Sequence, residues 1–357
     1  MKKVAILLMS LMLLLSLSSC HNNTNKKDNL KIAFIYIGPI GDAGWTYAHE
    51  QGRQQIKQLD FVDKTIAIEN ISTKEDAMRV ISELADGGYK LIFAASYEHY
   101  DAVIESATKY PDITFLQCRD SGRAFNVGSF LGKMQEATYL AGVSAGMMTK
   151  TNKIGMVASE PIPEVIRHIN GYALGIKSTN PKAKLYVKWT NSWNDPQKET
   201  EYIKEFKKNG CDIVLHNTDS STTQIEAEKL GLLSIGYSND MSNLAPNSQI
   251  TAAIWNWYVV YKYVAEQVYN KTWNNEPIFW GIKEGLVDLA PFNSTVPEEV
   301  KLEVVKKKNE LKNDLRNPFS GPIYDNKGNL RVNEGKVIDD YELLIIDWFT
   351  DNIIDGL

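Results

Sequence analysis

The chain has 357 residues, of which 43% are hydrophobic and 23% charged, and it carries a formal net charge of -5. That length exceeds one ordinary core and suits two domains of about 100 to 200 residues each, while the composition excludes a low-complexity chain or a disulfide-built scaffold. The acidic balance supplies no field to draw in a polyanion, so nucleic acid is not an expected partner.

The chain begins with a basic Met1-Lys2-Lys3 and an uncharged apolar run from Val4 to Leu17, a length that fits a secretory signal and falls short of a comfortable membrane span. The run ends in Leu17-Ser18-Ser19-Cys20, which resembles the bacterial lipobox. Residues 1–19 therefore read as a signal peptide and Cys20 as a lipidated residue anchoring the protein to the extracytoplasmic face of the cell membrane. The alternative is an ordinary secretory signal with an incidental Cys. His21 to Asn29 are polar and aperiodic, so residues 20–29 read as a flexible tether. Only Cys118 and Cys211 remain for the body. They are expected as buried small apolar residues, and two thiols so far apart build no metal site.

From Lys31 onward apolar runs of strand length alternate with segments of helical period. KIAFIYI leads to a helix expected from about Gly44 to Leu59; TIAIENI, LIFAAS, ITFLQC and NVGSF follow as strands, with helices at DAMRVISELADGG and HYDAVIESATKY between the first three. The pattern resumes with a helix at MQEATYLAGVSAGMM, then KIGMVAS, KLYVKW, DIVLH and LLSIGYS as strands separated by helices, and ITAAI before the helix WNWYVVYKYVAEQVYN. Such alternation implies α/β architecture with parallel sheets covered on both faces, and the near-repeat in two halves implies two doubly wound domains. After Pro291 come a charged helix, a hairpin-like PFSGPIYDNKGNLRV and an amphipathic YELLIIDWFTDNII, expected to pack on the second domain.

The loop after the first strand carries Gly38, Gly41 and Gly44, at the carboxyl edge where open α/β sheets bind ligands. Its G-x-x-G-x-x-G spacing is not the dinucleotide fingerprint, and it lacks the Lys-Ser/Thr ending of a P-loop, so no cofactor is expected. The loop ends at Trp45, and Trp193 in TNSWNDPQKE reads as the equivalent strand-to-helix junction of the other half. Two such rings would grip a planar ligand, whereas the alternative for Trp45 is a core residue closing its helix on the sheet. Asp219 in HNTDSS and Asp240 in GYSNDM end later strands, and an ionised Asp suits the N–H groups of a purine. The alternatives are that Asp219 caps the helix at Thr222 and that Asp240 serves its own turn. Neither has an evident His or Ser partner, so catalysis is not supported and the protein reads as a non-enzyme.

Taken together, YIGPIGDAGW, the block from NVGSFLGKMQEATYLAGVSAGMM to HINGYALGIKSTNP, WTNSWNDPQKE and IGYSNDMSNLAPNSQITA resemble the basic membrane protein (BMP) family of bacterial ABC-transporter substrate-binding lipoproteins, which includes purine nucleoside receptors. GDAGWTYAHEQGR, HNTDSS, AIWNW, KEGLVDLAPF and NPFSGPIYDNKGN are similar to its purine-binding protein subgroup. The resemblance implies a type I periplasmic-binding-protein fold, two lobes joined by a three-crossing hinge. The expected division is 30–128 plus 254–283 for the N-terminal lobe and 129–253 plus 284–357 for the C-terminal lobe. It also implies that Trp45 and Trp193 sandwich the base and that Asp219 and Asp240 bind its polar edge. Asn126, at the first crossing, and Asn256 are further candidate contacts; a structural role for Asn126 in its turn is the alternative.

Two departures bear on the ligand. Ser238 stands where nucleoside receptors read the first acidic residue of G-V-D-S-D, and Trp255, Asn256 and Trp257 stand where they carry a Lys. Fewer groups are then offered to a ribose, which favours a free base such as adenine, hypoxanthine or guanine over a nucleoside. The implied partners are that purine and the permease and ATPase subunits of an ABC importer. A surface sensor or adhesin lipoprotein is the reading from another class, as is a nucleotide-dependent enzyme, which the export signal opposes.

Overall fold

The computed structural model describes residues 28–119 and 122–356. The expected signal peptide, Cys20 and the tether up to residue 27 lie outside the described residues. In chain order the first half is β1 (Leu30–Ile35), α1 (Trp45–Ile56), β2 (Val62–Ile68), α2 (Lys74–Asp86), β3 (Leu91–Ala94), α3 (Tyr100–Lys109), β4 (Thr114–Cys118) and β5 (Val127–Gly132). The second half is α4 (Met134–Met148), β6 (Lys153–Ala158), α5 (Pro163–Thr179), β7 (Lys184–Trp189), α6 (Pro196–Lys208), β8 (Ile213–His216), α7 (Thr222–Leu230), β9 (Leu233–Ser238) and β10 (Gln249–Trp255). There follow α8 (Tyr258–Asn270), β11 (Ile278–Trp280), β12 (Val287–Leu289), α9 (Glu298–Lys312), β13 (Ile323–Tyr324), β14 (Leu330–Val332), α10 (Asp340–Leu344) and β15 (Ile353–Asp355).

The first sheet has the order β11-β5-β4-β3-β1-β2, all parallel; the second has the order β12-β10-β9-β8-β6-β7-β15, with only β12 antiparallel. These are the expected doubly wound parallel sheets. Helices cover both faces, which is why β3 (LIFA) and β8 (IVLH) are buried at every residue. Side chains still alternate between faces: Phe34 joins Phe93 and Phe130 in one core, while Ile35 joins Ile92 and Phe115 in another.

The chain passes between the sheets after β5, after β10 and after β11, and the three stretches lie side by side. Lys133 N–H donates to Trp280 O at 2.7 Å, and Asn256 N–H to Leu286 O at 2.8 Å. Beside them α4 and α5 pack closely, because glycines face backbone: a Cβ on Gly142 would lie 2.2 Å from Tyr172 O, and one on Gly175 would lie 2.0 Å from Tyr139 O. This contact also explains why α4 lacks a polar face. It is enclosed by α5, α9, β10 and β12.

The closing stretch YELLIIDWFTDNII divides in two. α10 ends at Leu344, and β15 extends the second sheet beyond β7, with Ile353 in the core and Ile354 exposed. Cys118 and Cys211 are free and buried, one in β4 and the other just ahead of β8.

Candidate functional site

In each sheet the strand order reverses at one place, between β1 and β3 in the first and between β6 and β8 in the second. Loops diverge there and leave a crevice at the carboxyl edge. Trp45 spans the first of these points, since it begins α1 after β1 while its indole N–H donates to Ala95 O, just past β3, at 2.7 Å. At the second point the side chain of Asn217, after β8, accepts from Ser159 N–H, after β6, at 3.0 Å.

The two crevices meet directly. Asp219 Oδ1 accepts from Trp45 N–H at 2.9 Å, and the Asp219 N–H donates to Trp193 O at 2.6 Å, so this residue joins the two tryptophan loops. Asn239 Nδ2 donates to Gly44 O at 2.7 Å and to Ala43 O at 3.2 Å. Gly44 is required by this approach: a Cβ there would lie 2.5 Å from Asp219 Oδ1 and 2.6 Å from its Cα. Asp42 takes the remaining N–H groups of the turn, accepting from Gly44, Thr46 and Tyr47. Two carboxyl groups thus share the positive end of α1.

Charge follows from that crowding. Withdrawal from water and then the neighbouring Asp42 push the Asp219 carboxyl up to about 8, with Glu164 and Glu199 acting in the same direction and the Trp45 N–H against it. Burial lowers His49 and His168 well below the usual imidazole range and His216 to about 4, so all three are neutral near pH 7. A neutral imidazole offers one donor and one acceptor.

The junction is aromatic around Trp45. Trp45 sits edge-on to Trp255 at 5.7 Å and to Trp257 at 5.4 Å, and His49, Trp257 and Trp255 stack at 4.4 and 4.6 Å. It is also rich in buried polar atoms without a partner inside the protein. These include Ser159 Oγ, Asn217 Nδ2, Ser238 Oγ and Trp255 Nε1, at the ends of β6, β8, β9 and β10, with Thr46 Oγ1 in the first turn of α1. Because those strands are neighbours and parallel, their ends lie along one edge. Unpartnered buried polar groups are rare and cost stability, and several of them lie along this one edge. Left-handed backbone at Ala43, Asn191 and Ser238 adds local strain in the same loops.

The structure brings together Trp45, Trp193 and Asp219. The two tryptophans are not at equivalent junctions, however: matching the strand orders pairs β1 with β6 and β2 with β7, so Trp193 follows the counterpart of β2. Trp193 is 38% exposed and Trp45 is partly buried. Asp219 does not cap α7; Ser220 Oγ accepts from Thr222 N–H instead. Asp240 lies apart, exposed and accepting from Ser242 N–H and from Gln249 Nε2 in its own turn. Asn126 is at the opposite edge of its sheet, where Nδ2 ties the carbonyls of Ala107, Tyr110 and Ile113. Asn256 belongs to the crossings, donating to Gly285 O. Sequence reasoning passed over Asn239, His49 and His168, whose roles depend on partners far along the chain; the Trp255-Asn256-Trp257 run was the available signal.

Residues 29–327 match the family described as ABC transporter substrate-binding protein, PnrA-like. A purine-binding protein of Brucella abortus is 37% identical over 333 residues, 93% of this chain and 95% of that protein. A protein of Haloferax volcanii named as a candidate ABC transporter glucose-binding protein is 32% identical over 84% of this chain and 76% of its own length. Among solved structures, an ABC transporter solute-binding protein from Conexibacter woesei superposes with a TM-score of 0.73 at 21% identity, covering 81% of this chain and 98% of the other. A transcriptional activator of the comK gene from Bacillus halodurans gives 0.72 at 23%, with 81% and 99% covered. At those identities the likeness is one of fold.

Proposed function

Because the chain belongs to the PnrA-like family of ABC transporter substrate-binding proteins, which are solute receptors and not enzymes, we propose that it captures a purine base between its two lobes for uptake. Receptors of ABC importers work outside the cytoplasm and hand a small molecule to a membrane permease driven by an ATPase. The observation that carries the purine reading is the meeting of the two crevices at the Trp45–Asp219 bond, beside strand ends that carry unpartnered buried donors and acceptors. A flat heterocycle with N–H groups and ring nitrogens satisfies both features. Base stacking on an aromatic ring is worth about 1–3 kcal/mol, and the buried polar atoms gain the partners they lack.

In this reading Trp45 and Trp193 hold the faces of the ring and Asp219 orders the junction, while Asp240, Asn126 and Asn256 serve turns and crossings. The lobes 30–128 plus 254–283 and 129–253 plus 284–357 close about the three crossings, and a lipid on Cys20 holds the receptor at the membrane. The Brucella relative, named for purine binding, supports a purine; Ser238 and the Trp255–Trp257 run support a free base over a nucleoside.

Mass spectrometry of small molecules released on denaturing the purified protein, followed by calorimetry with adenine, hypoxanthine, guanine, adenosine and glucose, tests this. We expect a base to be released and to bind most tightly. Tighter adenosine binding replaces the base with a nucleoside, and glucose binding without purine binding overturns the purine reading in favour of the sugar named for the Haloferax relative.

A further inference from the structure

Glu199 takes no part in ligand contact as described, yet its carboxyl group is fully buried, one turn into α6. The Thr223 hydroxyl donates to Oε2 at 2.9 Å, and the hydroxyls of Thr218 and Ser220 face the same group. Thr218 and Ser220 flank Asp219 in the loop between β8 and α7, and Thr223 is the second residue of α7. Removing a carboxyl group from water is costly unless hydrogen bonds compensate. Here two of the hydroxyls, those of Thr218 and Ser220, come from the loop whose Asp219 reaches the other lobe, and the third comes from the first turn of α7, into which that loop leads. Burial still outweighs them and raises the Glu199 carboxyl above its usual range.

The rest of the loop is tied at its ends. Asn217 Oδ1 holds Ser159 N–H, and Thr222 N–H is held by Ser220 Oγ, while Asp219 itself has its N–H on Trp193 O. None of these bonds fixes the distance from the loop to the body of α6. Glu199 does so, from the same helix whose entry loop carries Trp193.

We infer that Glu199 is the positioning residue that holds the Asp219 loop at the height where the Asp219 carboxyl meets the first turn of α1, so that it governs lobe closure from behind the site. The consequence for ligand capture rests on the receptor reading above; the contact itself does not, and it can be tested without ligand. The Trp45 N–H bonds to Asp219 of the other lobe, whereas its neighbour Thr46 N–H bonds to Asp42 of its own lobe, which makes the pair a probe and its internal control.

Amide exchange is measured residue by residue on the ligand-free protein. In Glu199→Ala the Trp45 amide should exchange about tenfold faster while Thr46 stays at its wild-type rate. Glu199→Gln, which keeps an acceptor oxygen for the hydroxyls, should restore Trp45 protection. Thr223→Val, which removes one hydroxyl and keeps the carboxyl group, should give a smaller acceleration confined to Trp45, and it serves if the alanine variant does not fold. Unchanged Trp45 exchange in these variants, acceleration of Trp45 and Thr46 together, absence of rescue by glutamine, or an unprotected Trp45 amide in the wild type each overturns the inference. Failure of purines to bind the wild type overturns the receptor reading and leaves this result standing.

Discussion

Trp45 and Trp193 look alike in the sequence, each a tryptophan between a strand and a helix, but the structure treats them differently. Trp45 is held in place: its indole N–H donates to Ala95 O of its own sheet and its ring edge meets Trp255 and Trp257. Trp193 reaches the junction through its carbonyl, which accepts from Asp219 N–H, and the residue is 38% exposed. In the proposed reading, one is a wall held in place and the other an exposed cover. A receptor that must admit a ligand and then enclose it needs both, because two fixed walls bar entry and two mobile ones lose the orientation of the ring.

The largest test of that contrast lies at the contact between the walls. Gly44→Ala places a Cβ 2.6 Å from the Asp219 Cα, where backbone and not a flexible tip must yield. Overpacking of this kind costs about 1–3 kcal/mol, so purine affinity should fall by up to about a hundredfold. The added Cβ falls at a contact between two loops and not inside a hydrophobic core, so the melting temperature should change little. Calorimetry and small-angle scattering check this, and a closed, tightly binding variant would mean that the lobes do not meet here.

Next come the rings themselves. Trp45→Ala should weaken purine binding by about 1–3 kcal/mol and should also lower the melting temperature, since the ring packs against the buried core that joins the two sheets. Trp193→Ala should produce a similar or smaller loss of affinity and leave the melting temperature unaltered, because an exposed ring carries little of the fold. Equal melting shifts in the two variants, read by scanning calorimetry, would erase the distinction between wall and cover.

Much of the architecture was legible because buried parallel strands are apolar at every position and their helices are periodic; KIAFIYI and LIFAAS needed no tertiary information. The three-residue strands β11, β12 and β15 were not legible. A strand that short carries no pattern, and Ile353–Asp355 joins the second sheet only because β7 presents a free edge. At the site, Trp45 and Asp219 were visible from loop position and residue type. Their bond joins residues 174 positions apart, which no local spacing encodes. Asp240 illustrates the converse: its acidic, strand-end position suggested a ligand contact, and its nearest donors, Ser242 N–H and Gln249 Nε2, claimed it for the turn.

The smallest expected effect is on pH response, and it separates the two tryptophans through one residue. With the lobes closed the Asp219 carboxyl is pushed up to about 8 by withdrawal from water and by Asp42, Glu164 and Glu199; once the junction opens, it returns towards its ordinary value of about 3.9. The closed form therefore holds the proton more tightly. Its advantage is complete below about pH 4, declines as the pH rises towards about 8, and is flat beyond that. Asp219→Asn, neutral throughout and still able to accept from Trp45 N–H, should remove this slope from a titration of closure by scattering or of purine affinity by calorimetry. The titrating carboxyl touches the Trp45 side, whereas the Asp219 N–H that holds Trp193 does not titrate. Raising the pH from 5 to 9 should therefore change the emission lost in Trp45→Phe, taken as the difference from the wild type at each pH, more than the emission lost in Trp193→Phe. Equal responses, or a slope that survives Asp219→Asn, would place the proton on another group and leave Asp219 as a hydrogen-bonding link without a charge-dependent role.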